Sequence, residues 1–182
     1  MKRQINAFND RLVGVTAYFS NNWHLIAVAV AFICFQALIL PSLLDQILSI
    51  SGGVMILDLS LWYTPEEVDR RLADFGEEGR NLYLIAEWTA DLAYPAIYAL
   101  FIGALTYRLG GNRWSTLPLY SGMADWAENV AVTLLLLQYP DFNPAIAVLS
   151  ATFTALKWIF LGGSGIVLAA LLFCKLENMA RA

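Results

Sequence analysis

Five ionisable side chains stand inside stretches of sequence apolar enough for a bilayer. Glu87 and Asp91 lie in EWTADLAYPAIYALFIGALTY, Asp125 and Glu128 in LPLYSGMADWAENVAVTLLLL, and Lys157 in the last apolar run. A charge at the bilayer centre costs about 2.5–3.5 kcal/mol on insertion scales. Lipid offers such a group no partner, so these side chains are expected to turn inward and meet one another. A buried carboxylate can pair with the lysine, exchange hydrogen bonds or pass a proton. Helical spacing extends the group. Glu87, Asp91, Tyr94 and Tyr98 follow i, i+4, i+7, i+11, Ser121, Asp125 and Glu128 share a face, and so do Ser150, Thr154, Lys157 and Ser164. The predicted binding residues are Glu87, Asp91, Tyr94, Tyr98, Asp125, Glu128 and Lys157, with Glu87, Asp91 and Glu128 the candidates for any catalytic proton transfer.

A rise of 1.5 Å per residue puts Glu128 and Lys157 within about 3 Å of the midplane if their helices are centred, and Glu87 about 12 Å outward, near a mouth. Four acids against one lysine leave a surplus. It predicts a proton retained on at least one acid, Asp125 foremost as the one furthest from an outward opening. Trp88, Trp126 and Trp158 are placed to wall a pocket or fill core, whereas Trp23, Trp62 and Trp114 fall at the expected interfaces.

No P-loop, GxSxG or HExxH is present, which removes the usual nucleotide, serine-hydrolase and zinc chemistries. Cys34 and Cys174 form no CxxC, and His24 is the only histidine, so zinc and haem are not expected; a metal held by carboxylates alone stays open but has no motif to support it, and no cofactor is expected. No basic stripe suggests nucleic acid. Of 182 residues, 59% are hydrophobic and 14% charged. Soluble domains carry about 45–50% and about 25%, and the excess here comes in long blocks.

These blocks are the elements that must position the acids. We read an all-α fold: an antiparallel four-helix transmembrane bundle with a small external amphipathic helix, forming one integral membrane domain over 1–182. The spans are about 23–44, 83–107, 117–139 and 145–173, with an external cap at 45–82. Residues 1–22 place Phe8, Leu12, Val15 and Phe19 at helical spacing, as in a surface helix. Pro41 should kink the first span, and Pro95 should free the carbonyl of Asp91. In the cap, SISGGVMILDLSLWY is expected to lie extended over the bundle. A helix follows it: Thr64 is its N-cap, Pro65 its first residue, Glu67 the partner in a capping box and Gly76 its end. Its apolar edge, Val68, Leu72 and Phe75, should pack on the mouth of the bundle. Thr116 and Asn143 read as the N-caps of spans three and four. Ala124, Ala127 and Ala131, and Gly162 with Gly165, suggest close helix approach. Lys2, Arg3 and Arg11, then Arg108 and Arg113, then Lys175 and Arg181 fall on one side of a four-span chain, which puts both termini in the cytoplasm. A bacterial inner membrane is the expected location.

Glu87, Asp91 and Pro95 in EWTADLAYPAIY, followed by Thr116 and Pro118 in STLPLY, resemble the pattern of the EXPERA superfamily, which includes the sigma-two receptor and the emopamil-binding sterol isomerases. The likeness covers about the first three spans. It implies a sterol-sized pocket within the membrane lined by Glu87, with Asp45 in LPSLLDQIL as the second acid, late in span one. The pocket histidine of the isomerases has no counterpart here, and Asp125, Glu128 and Lys157 lie outside the family pattern. YTPEEVDRRLADFGEEGR is also similar to segments of small bacterial four-span membrane proteins.

The leading expectation is a protein that binds or handles an apolar, lipid-like molecule in an intramembrane pocket with buried carboxylates; any catalysis would be proton transfer by one of them. An accessory or assembly subunit of a larger membrane complex, with the charges as structural glue, is the alternative. A proton-coupled carrier is the third, although FIGALTY leaves the cytoplasmic half of span two nearly bare of polar groups. The expected partners are membrane lipid or an apolar small molecule, with other membrane subunits or further copies of the chain as options.

Overall fold

The computed structural model describes residues 2–181, and the side chains of residues 2–5 lie outside what it describes, including the charges of Lys2 and Arg3. Among the described residues the fold is helical throughout, without strands. Helix α1 runs Lys2–Phe19, α2 Asn22–Ile50, α3 Pro65–Trp88, α4 Ala90–Arg108, α5 Leu117–Gln138 and α6 Pro144–Ala180. Three helical stretches are long and apolar enough to cross a membrane: Asn22–Ile50, the nearly continuous Pro65–Arg108, and Pro144–Ala180, with mean hydropathies of 2.4, 1.3 and 2.1. Helix α5 is not among them. Asp125, Glu128 and Asn129 lower its hydropathy, and all three are buried, along with positions from Pro118 to Leu136. The other helices cover this acid-bearing face, while Met123, Trp126, Val130 and Leu134 are exposed on the opposite one.

Helices α2 and α3 both depart from regular geometry. In α2, Pro41 has no N–H to offer the carbonyl four residues before it. The helix widens into a π turn over Phe35–Ile39, with the Leu40 N–H reaching the carbonyl of Phe35. In α3 the capping box forms as expected. Thr64 N–H donates to Glu67 Oε2 at 3.0 Å and Glu67 N–H donates to Thr64 Oγ1 at 3.3 Å. Gly76, at φ 63°, then breaks the helix, and Thr89 breaks it again before α4. Asn143 caps α6, accepting from the Ala145 N–H. Thr116 precedes α5, but its hydroxyl makes no capping bond.

The first turns of α3 dock as their apolar edge predicts. Val68, Leu72 and Phe75 are buried in one cluster with Ile47, Leu57, Tyr63, Tyr83, Leu135 and Ala147. Burial of each large side chain contributes about 1.5–3 kcal/mol relative to exposure in water. The stretch before them departs from expectation. Helix α2 continues to Ile50, and the chain does not lie extended over the bundle. It dips inward through the 3-10 turn Leu57–Leu59, burying Leu57 and Asp58. Arg71 holds the turn from outside, donating to Ser60 Oγ at 2.7 Å and to the Ile56 carbonyl at 3.4 Å.

At the opposite end α1 packs on α4 by only part of the face its apolar residues mark, with Leu12 against the cluster of Tyr98, Ala99 and Leu119. Phe8 and Val15 are exposed, and Thr16 is buried, with its hydroxyl 2.8 Å from that of Ser115. The close approach is made by Gly103, where an added Cβ would meet the Ser115 carbonyl at 2.8 Å and Thr16 Cγ2 at 2.9 Å. Gly122 of α5 sits as tightly on α4, with the Pro95 carbonyl 3.0 Å from a would-be Cβ, whereas Gly162 and Gly165 face open space and mediate no helix contact. Arg108 donates to the Ser20 carbonyl at 3.3 Å, and Leu171 lies against Gly111. Helix α1, the turn after α4 and the late part of α6 therefore share one end of the molecule.

Candidate functional site

Helices α4, α5 and α6 bring the predicted stripes together. Lys157 of α6 reaches both acids of α5, with Nζ 2.7 Å from Glu128 Oε2 and 3.2 Å from Asp125 Oδ1. Glu128 is completely buried. Its other oxygen accepts from Thr154 Oγ1 at 2.5 Å, and the Thr154 and Ser150 hydroxyls lie 3.2 Å and 2.7 Å from that of Tyr63. Burial, and after it the Glu128 carboxylate, holds the Tyr63 hydroxyl above its usual titration range, so it stays protonated as a donor. On the other side of the lysine, Tyr98 O–H donates to Asp125 Oδ2 at 3.0 Å, and Ser121 O–H donates to the Lys157 carbonyl at 2.9 Å. The carbonyl of Asp91, freed by Pro95, accepts from Asn129 Nδ2 at 3.0 Å, and that of Leu92 from Trp126 Nε1 at 2.9 Å.

Beside this network lies a cavity of about 500 Å³. Its walls are apolar, with Leu40, Pro41 and Leu44 of α2 on one side and Trp158 and Leu161 of α6 on the other. Its polar groups are Glu87, Asp91, Tyr94, Tyr98, Asp125 and Lys157 of the predicted set, joined by Gln36, Asp45, Asp58 and Tyr83. Tyr94 O–H donates to Gln36 Oε1 at 3.1 Å, tying α4 to the π turn of α2. Two placements depart from expectation. Glu128 does not line the cavity; it lies behind, in the hydroxyl network. Of the three tryptophans considered as walls, only Trp158 serves, while Trp88 and Trp126 are partly exposed.

Asp58 escaped the sequence reading, since an aspartate in a connection between helices reads as a solvated residue. It is buried, and Tyr83 O–H donates to its Oδ2. Asp58, Glu87 and Asp91 each bring a carboxylate oxygen to within 4.8 Å of the others. Asp58 Oδ1, Glu87 Oε2 and Asp91 Oδ2 are buried and accept no hydrogen bond. The unmet carboxylate oxygens therefore gather here, whereas Asp125 shares the lysine.

These features define an all-helical protein with membrane-length apolar helices, a lysine-bridged acid pair in its core and an acid-bearing cavity beside it. No protein-family model, curated protein or solved structure matches the chain.

Proposed function

We propose that this chain is an integral membrane protein that crosses the bilayer four times as an antiparallel bundle and binds an apolar, lipid-like small molecule in its internal cavity. The single observation that carries this reading is the cavity itself. Its volume of about 500 Å³ falls in the usual range for small-molecule sites, and its apolar walls are interrupted by a cluster of polar groups from several helices. Helix α5 serves as the fourth span. Its 22 residues extend about 33 Å, the thickness of a hydrocarbon core, and its acids are shielded by the helices around it. The basic residues of α1, the α4–α5 turn and the end of α6 gather at one end, which supports placing both termini in the cytoplasm, as in a bacterial inner membrane. The resemblance to EXPERA proteins runs the same way: Glu87 and Asp45, the two acids it implies for the pocket, both stand on the cavity wall.

Native mass spectrometry of the detergent-purified chain tests the proposal. A retained apolar species is expected on the wild type and lost from Leu44→Trp, which fills the cavity from α2. A wild type that carries no such species, or an adduct unchanged by Leu44→Trp, refutes it.

The reading as an accessory subunit draws on a different observation. The Lys157 pair and its hydroxyl shell have the close bonding of helix–helix glue. Both roles fit one molecule, because the glue and the cavity are adjacent.

A further inference from the structure

We infer that Asp58, Glu87 and Asp91 form a binding site for a hard divalent cation of the Ca²⁺ class, reached through the cavity. Three observations converge. Each residue offers a carboxylate oxygen, all within 4.8 Å of one another. One oxygen of each is buried without a hydrogen-bond donor, and Asp58 and Glu87 are only 6% and 2% exposed. No basic side chain pairs with any of the three among the described residues: Lys157 is engaged by Asp125 and Glu128, and the remaining ion pair is Arg181 with Glu177. Carboxylates held together at low dielectric without a counter-charge are costly, and a bound cation removes both the repulsion and the unmet acceptor capacity.

The donor set selects the ion. All donors are carboxylate oxygens, with neither histidine nor thiolate, which suits Ca²⁺, Mg²⁺ or Mn²⁺ and disfavours zinc or copper. Donors within 4.8 Å of one another can surround an ion bound at about 2.4 Å, as Ca²⁺ is, and Ca²⁺ accepts the irregular geometry of three separate carboxylates more readily than Mg²⁺, which demands a near-ideal octahedron. Three carboxylates supply three to six of the oxygens that Ca²⁺ takes, and the cavity leaves room for water to supply the rest. The ion would clip the turn that carries Asp58 to α3 through Glu87 and to α4 through Asp91. This site needs only the carboxylates and does not depend on a lipid in the cavity.

The test uses the full chain in detergent micelles, stripped with chelator and titrated with Tb³⁺ under tyrosine excitation. Tyr83, which donates to Asp58, is the sensitiser at the site. Saturable emission is expected, displaced by Ca²⁺ at much lower concentration than by Mg²⁺. Asp58→Asn and Glu87→Gln should each weaken binding at least tenfold, and the exposed Asp74→Asn should leave it unchanged. The wild-type melting temperature should rise with Ca²⁺, a readout that needs no variant to fold. No saturable emission and no Ca²⁺-dependent melting shift on the wild type would overturn the site. Emission that survives both Asp58→Asn and Glu87→Gln would overturn it too, by assigning the ion to surface acids.

Discussion

Two groups of buried acids lie side by side in this protein and solve the same electrostatic problem in opposite ways. Asp125 and Glu128 share Lys157, and the hydroxyls of Tyr98 and Thr154 donate to their remaining oxygens. Asp58, Glu87 and Asp91 have no lysine or arginine, and one oxygen of each is unmet. The first group meets its bonding capacity from within, although Asp125 and Lys157 also border the cavity. The second borders the same cavity with part of its bonding capacity unmet. The contrast teaches that burial alone does not mark function inside a membrane protein. The site proposed above is the group whose bonding capacity the fold leaves unused.

The comparison makes the two groups respond to substitution with different size and sign. The largest effect belongs to Lys157→Met, which strands two carboxylates. It should destabilise the protein by about 3–5 kcal/mol, read as loss of thermal and denaturant stability in detergent. Most of that should return in the triple variant that also carries Asp125→Asn and Glu128→Gln, because a buried pair replaced whole costs little. Thr154→Val removes the donor to Glu128 Oε1 and should cost about 1–3 kcal/mol by the same measurement. Tyr63→Phe leaves Thr154 its other acceptors but the buried Ser150 hydroxyl without its partner, and should likewise cost about 1–3 kcal/mol. The smallest change, and the one of opposite sign, is expected at Glu87→Gln. In chelator it should be neutral or stabilising by up to about 1 kcal/mol, since it removes repulsion and breaks no ion pair. A loss of several kcal/mol there would erase the distinction between the two groups.

Much of the architecture could be read from short stretches of chain. The capping box at Thr64 and Glu67, the break at Gly76, the cap at Asn143 and the disturbance near Pro41 each depend on residues within a turn or two, so local rules suffice. The meeting of α5 acids with Lys157 was also foreseeable, because lipid denies a charge any other partner. The assignment of partners was not. Lys157 bridges Asp125 as well as Glu128, and the spacing of the acids along the chain does not distinguish that from a bridge to Asp91. Gly162 and Gly165 looked like contact glycines and face open space, while Gly103 and Gly122, unmarked by any pattern, make the close approaches.

Asp58 shows the limit most clearly. Nothing in ILDLSLW separates it from a solvated turn aspartate. Its burial follows from Tyr83, which is 25 residues away and offers it a hydroxyl beneath the dipping turn. The Thr16–Ser115 contact, 99 residues apart, is equally unmarked in the chain. Periodicity, caps and the cost of charge in lipid are properties of a segment and its solvent, so the order of residues carries them. Which acid shares the lysine, which glycine touches a neighbour and where a cavity remains depend on how the surfaces of several helices fit together, and that fit exists only in the folded molecule.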